Sequence, residues 1–192
     1  MRTIRIKLKL LILHIFLAVF IGIAGLSDLL AQPYTEYELK SAYLFNFGKF
    51  VTWPEESFVK TDNCFVIGIY GKNPFGDILK ETVKNKTIQN RIVKVVFFEN
   101  EEQVKNCQIL FLSEVNPADA KKIFALLNGS SVLTVGDQIE DFCQNGGVIN
   151  FTPQNYRFRF EINNVIAIKE RIVISSKLLA LAKIITEDEI RF

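Results

Sequence analysis

Between residues 64 and 135 the apolar residues arrive in short, nearly unbroken runs separated by turns and by stretches of helical periodicity. The first run, Cys64-Phe65-Val66-Ile67-Gly68-Ile69-Tyr70, offers no polar residue to water on either side, so as a strand it must be buried on both faces. Gly71 closes it. A sheet covered on both faces needs helices above and below, which points to a layered α/β fold with parallel strands and right-handed crossovers.

The rest of the chain fits that frame. A turn, GKNPFG, leads into a short helix around Asp77 to Lys84, and Ile92 to Phe97 is the second strand. Gln108 to Leu112 is the third, and Asn116-Pro117 opens a helix as cap and first-turn proline, with Gly129 just past its end. Ser131 to Val135 is the fourth strand. Upstream, Thr35 and Glu38 have capping-box spacing, so a helix starts there and runs through LKSAYLFNFGKF until Trp53-Pro54 stops it. Downstream, Val148 to Phe151 and Tyr156 to Ile162 flank TPQN and read as an antiparallel hairpin, with Phe158, Phe160 and Ile162 on one face and Arg157, Arg159 and Glu161 on the other. In SSKLLALAKII, Leu178, Leu181, Ala182 and Ile185 fall at helical spacing, which predicts a last helix closing against the sheet. The expected fold is a Rossmann/flavodoxin-like three-layer sandwich, mostly parallel, with a C-terminal antiparallel hairpin.

Residues 1–31 have the layout of a signal peptide: Arg2, Arg5, Lys7 and Lys9, then an apolar run from Leu10 to about Leu26, then Ala31 before Gln32. The competing reading is an uncleaved anchor, since such a run approaches spanning length. Residues 32–192 are expected to form a single domain, long enough to bury a core. The chain has 23 basic and 21 acidic residues, and the leader carries four of the former and Asp28, leaving 19 against 20. A near-neutral domain has no surplus to attract nucleic acid or an anionic membrane, so neither is an expected partner.

The one histidine, His14, lies in the leader. That removes Ser-His-Asp and Cys-His nucleophile systems and His-containing zinc sites from the domain, and no dense Asp/Asn spacing suggests a calcium loop. No metal, cofactor or enzymatic activity is expected. Asp77, Asp137, Asp141 and Glu161 are the carboxylates from which a catalytic cluster would have to be assembled.

Three cysteines remain, at 64, 107 and 143. With a strand order of 2-1-3, Cys64 at the start of the first strand and Cys107 just before the third begin side by side, at a spacing of about 4.8 Å that suits a disulfide. Closing that loop would contribute roughly 4 kcal/mol on the chain-entropy view. The other reading is two small buried thiols. Cys143, in DFCQNGG, is left over: it is either a reactive, redox-sensing thiol or a plain free thiol, and no histidine is at hand to activate it.

Two surfaces invite function. Aromatics crowd the first helix: a 3.6-residue stripe buries Leu39, Tyr43, Phe47 and Phe50 and leaves Leu44 and Phe45 pointing elsewhere. Tyr43, Phe45, Phe47 and Trp53 are thus either a partner-binding face or core. The turn between Gly71 and Gly76, with Asp137, sits where doubly wound folds bind ligands, at the carboxyl ends of the strands. It lacks phosphate-loop spacing, and its glycines are equally well turn residues. Arg157 and Arg159 could hold a carboxylate or could simply be solvated.

Several separated blocks, YELKSAYLFNFGKFVTWP at 37–54, CFVIGIYGKNPFG at 64–76, CQILFLS at 107–113, LTVGD at 133–137, FCQNGGVINF at 142–151 and the closing RFRFEIN with ISSKLLALAKI, resemble in order and spacing the YfiR-like family of periplasmic regulatory proteins. The resemblance implies a periplasmic protein that holds down an inner-membrane signalling protein, a diguanylate cyclase or a sensor kinase, by binding its periplasmic domain. Such a protein would control cyclic-di-GMP output without touching the nucleotide. The family's redox-sensitive disulfides would correspond here to Cys64 with Cys107, whereas a second pair is incomplete, with Cys143 alone. The alternative class is a periplasmic small-molecule-binding sensor. A homodimer is open, and no residue pattern calls for one.

Overall fold

The computed structural model describes residues 34–154 and 157–191. Residues 1–33, His14 among them, the link at 155–156, Phe192 and the side chains of 154–158, Arg157 among them, lie outside the described residues. Residues 36–192 make one compact unit.

Each apolar run is a strand: β2 (Phe65–Gly71), β4 (Arg91–Phe98), β5 (Ile109–Ser113), β6 (Leu133–Asp137) and β7 (Ile149–Gln154). They pair in parallel in the order β4-β2-β5-β6-β7. Residues Phe65, Ile67 and Ile69 enter one core, with Leu44 and Phe47 of α1 (Glu36–Phe50) and Leu79 of α2 (Ile78–Val83). Val66 enters the other, with Leu110, Leu112 and, from α3 (Pro117–Leu127), Ile123 and Leu127. Alternation across the pleat therefore fills two apolar layers from one run of sequence. Asn116 caps α3 as its spacing predicts, its Oδ1 accepting the Asp119 N–H at 2.9 Å.

The sheet continues past β7. β8 (Arg157–Ile162) pairs antiparallel to it, and a two-residue strand, β10 (Lys183–Ile184), adds parallel to β8, while β3 (Thr87–Ile88) pairs antiparallel to β4 at the opposite edge. A separate two-stranded sheet joins β1 (Val51–Thr52), directly after α1, to β9 (Val173–Ile174), and α4 (Asn164–Lys169) bridges β8 to β9. These short pieces carry too few residues for periodicity to announce them.

Three expectations change. The closing segment SSKLLALAKII is not one helix: α5 covers only Ser176–Leu179, after which β10 takes the open edge of β8 and Ile185 N–H donates to the Ile162 carbonyl at 2.9 Å. Leu178 and Ile185 consequently sit in opposite cores, and Leu181 is exposed. An unpaired strand edge outcompetes a marginal helix. On α1 the buried face is Lys40, Ser41, Leu44, Phe47 and Gly48, while Leu39 and Phe50 are exposed. The helix is turned by about one residue, roughly 100°, from the expected stripe. Glu161, expected on a solvated face, is buried to 8% exposure because β10 and its Lys183 cover it.

Phe142 is the plug of the second core. Its ring lies so close to Gly136 and Gly147 that a β-carbon on either would stand 2.7 Å or 2.2 Å from it, which accounts for the glycines in LTVGD and FCQNGGVINF.

Candidate functional site

Strands running in parallel bring their carboxyl ends to one edge, and there β5 ends at Ser113 and β6 at Asp137. The first turn of α1 lies over this edge. A cleft of about 390 Å³ opens between them, lined by Tyr37, Ser113, Glu114, Asp137, Gln138 and neighbours.

The cleft is built on a charge network. Lys40, whose side chain is fully buried, meets Asp137 Oδ1 at 2.5 Å; the Asp137 side chain is itself only 4% exposed. Lys40 also pairs with Glu36 Oε1, one helical turn earlier. Tyr37 donates its hydroxyl to Asp137 Oδ2 at 3.2 Å, and Gln138 Nε2 donates to Glu36 Oε1 at 3.2 Å. The Lys40 ammonium stands 4.8 Å from the Tyr37 ring centroid, a cation–π geometry. Burial, then the neighbouring Asp137 charge, pushes the Tyr37 phenol up to about 12. A lysine inside a protein is held only by such compensation. The network therefore locks the start of α1 to the end of β6 and sets the Asp137 side chain at the floor of the cleft.

Asp137 thus joins Tyr37 and Lys40 rather than the 71–76 turn. That turn folds inward through Phe75, which is buried and packs edge-on to Tyr37 at 5.5 Å and against Phe111 at 4.8 Å. Gly71 has a φ of +87°, and a β-carbon there would lie 2.2 Å from the Ser113 carbonyl oxygen, so this crossing of backbone by backbone requires glycine. Gly71 lines a neighbouring cleft of about 510 Å³ with Tyr70, Phe97 and Glu101, and Gly76 lines neither cleft. Sequence reading missed Lys40, although its position one and two turns before Leu44 and Phe47 places it on their stripe.

The aromatic residues of α1, and Trp53 just beyond it, divide. Phe47 and Trp53 are core, at 0% and 4% exposure. Tyr43 and Phe45 are partly buried, Tyr43 edge-on to Phe151 at 6.1 Å and Phe160 at 5.6 Å, and Phe45 beneath the Lys86 ammonium at 4.9 Å. The exposed Leu39 and Phe50 lie on the Tyr43 side of the helix, and Phe45 lies on the other.

All three thiols are free. Cys107 is buried, its Sγ 3.3 Å from the Val104 carbonyl, and burial raises its pKa far above the usual thiol range. Half-buried Cys64 turns its Sγ to the Asp62 carbonyl at 3.8 Å. Both border the same core, but the expected bridge between them is not formed in this structure, because each sulfur points to its own loop. Cys143 is fully buried, its pKa raised first by burial and then by Glu161, which leaves it inert as a nucleophile.

The carboxylates do not assemble. Asp137 is committed to Lys40, Asp141 to Arg191 and Glu161 to Lys183, while Asp77 is exposed beside Lys80. Among the described residues no group of His, Cys, Asp and Glu could hold a metal, and no helix is long and apolar enough to cross a membrane. Arg159 is exposed.

A family model described as YfiR/HmsC-like matches residues 37–183. No curated protein matches the chain. Among solved structures, the ABC domain in complex with L-Trp from Streptococcus pneumonia is similar at 12% identity and a TM-score of 0.46 over 67% of this chain and 58% of that one. That likeness is too remote to bear on fold or function.

Proposed function

The chain belongs to the YfiR/HmsC-like family, and on that premise we propose that it is a periplasmic regulator that holds down an inner-membrane signalling protein, a diguanylate cyclase in the first instance, by binding that protein's periplasmic domain. Proteins of this family are regulatory rather than catalytic. What supports the reading is that the family match runs through nearly the whole of the compact unit, from α1 to β10. In this reading residues 1–31 are removed on export, and the domain is a flavodoxin-like three-layer sandwich ending in an antiparallel hairpin. Tyr43, with the exposed Leu39 one turn before it and Phe50 two turns after it, forms the partner-binding face, and Phe45 lies on the other side of the helix. Cys64 and Cys107 join on oxidation, closing the start of β2 against the approach to β5.

The test is affinity capture of the tagged domain from gently solubilised inner membranes, with and without reductant. Retention of one diguanylate cyclase, lost in Leu39→Ala/Phe50→Ala, supports the reading. Failure to retain any signalling protein overturns it. The cleft above Asp137 favours a second reading, a small-molecule sensor, which a thermal-shift screen with Asp137→Asn as control would reveal.

A further inference from the structure

The two loops that lead into the amino ends of β6 and β7 mark the end of the sheet opposite Asp137. There a third cleft, of about 420 Å³, opens between the last half of α3, the turn at Asn145-Gly146, α4 and the chain at Ile190-Arg191. Its floor is apolar: Ile166 is 8% exposed, and the Phe124 ring stands edge-on to Phe142 at 5.0 Å. Around the floor stand Lys121, Lys169, Asn128 and Asn145. Among the described residues, none of these four side chains has a hydrogen bond or an ion pair.

Among the described residues, the one carboxylate in the lining is already spent on the fold. Glu170 accepts the Gly129 N–H at 3.1 Å on one oxygen and the Ser131 N–H at 3.4 Å on the other. Arg191 is held by Asp141 at 2.5 Å. Among the described residues, the cleft is thus lined by two lysines and two asparagines whose side chains have no partner, around an apolar floor, in a volume that suits a small organic molecule. A ligand complementary to it carries a compact anionic head, to meet the amines, on an apolar body that can cover Phe124 and Ile166.

We propose that this cleft binds a small amphipathic organic anion, a carboxylate or sulfonate with an aliphatic or aromatic body. The site is separate from the carboxyl-edge cleft and stands whether or not the domain regulates a cyclase. The test is titration calorimetry of the exported protein with octanoate, compared with acetate, which has the head alone, and hexanol, which has the body alone. Octanoate is expected to bind saturably with a Kd below about 1 mM, and acetate and hexanol at least about tenfold more weakly. Lys121→Glu/Lys169→Glu should weaken octanoate by at least about tenfold, whereas Lys60→Glu/Lys94→Glu, an equal change of net charge on exposed lysines elsewhere, should leave it unchanged. All four lysines are exposed, so folding is not at stake. Absence of saturable octanoate binding, or equal loss in both double variants, overturns the proposal.

Discussion

Lys40→Met is the sharpest perturbation of the carboxyl-edge network. Methionine keeps most of the aliphatic stem on the buried stripe with Leu44 and Phe47, so the change isolates the charge. Lys40 is fully buried and Asp137 nearly so, at 4% side-chain exposure, and with the ammonium gone the Asp137 carboxylate keeps, among the described residues, only the Tyr37 hydroxyl at 3.2 Å. Glu36, the other partner, is 47% exposed in its side chain and can return to water. The loss is therefore that of one stranded buried carboxylate, about 3–5 kcal/mol. In a domain of this size that corresponds to a fall in Tm of roughly 6–20 °C. Lys40→Met/Asp137→Leu removes both charges and should regain most of the loss, since an apolar pair of similar volume is often as stable as the ion pair. Urea and thermal unfolding of the three variants beside wild type read this directly. A single variant within about 1 kcal/mol of wild type, or a double variant no better than the single, would refute the buried-pair reasoning.

Gly147→Ala places a methyl 2.2 Å from the Phe142 ring and should cost about 1–3 kcal/mol, read by urea unfolding, and Phe142→Leu in the same chain should return part of it. Burial raises the Glu161 carboxyl above the usual carboxylate range, with Lys183 opposing. A raised acid stabilises the fold only while protonated, so its contribution is lost as pH climbs through the folded value; Glu161→Gln should stabilise at neutral pH and give no gain below about pH 4. Tyr37, with its phenol at about 12, likewise contributes in full below its ordinary value of 10.0 and loses that contribution between the two. A phenolate absorbance titration should show a late component that disappears in Tyr37→Phe.

The parallel core was legible because its strands are buried on both faces, and a run such as Phe65 to Ile69 admits no other placement. Asn116-Pro117 and Gly71 announce their turns through chemistry that is local to them. The closing segment was not legible, because Leu178 and Ile185 satisfy helical spacing equally well whether or not β8 has a free edge, and that edge is a property of the assembled sheet. Lys40 was hidden for a related reason: a lysine in a helix reads as solvent-facing until its partner, 97 residues away in sequence, is placed beside it. The basic cleft opposite was invisible for the same cause, since Lys121, Asn145 and Lys169 come together only through the crossover of α3 and the turn before β7.

The central claim is regulation of a membrane signalling enzyme from outside the cytoplasm, and the direct measurement is cellular cyclic-di-GMP with the gene intact, deleted and restored. The account predicts a rise on deletion, reversed by the exported protein but not by a form lacking residues 1–31 and kept inside the cell. Cyclic-di-GMP that is unchanged by deletion, or restored equally by the unexported form, would contradict it.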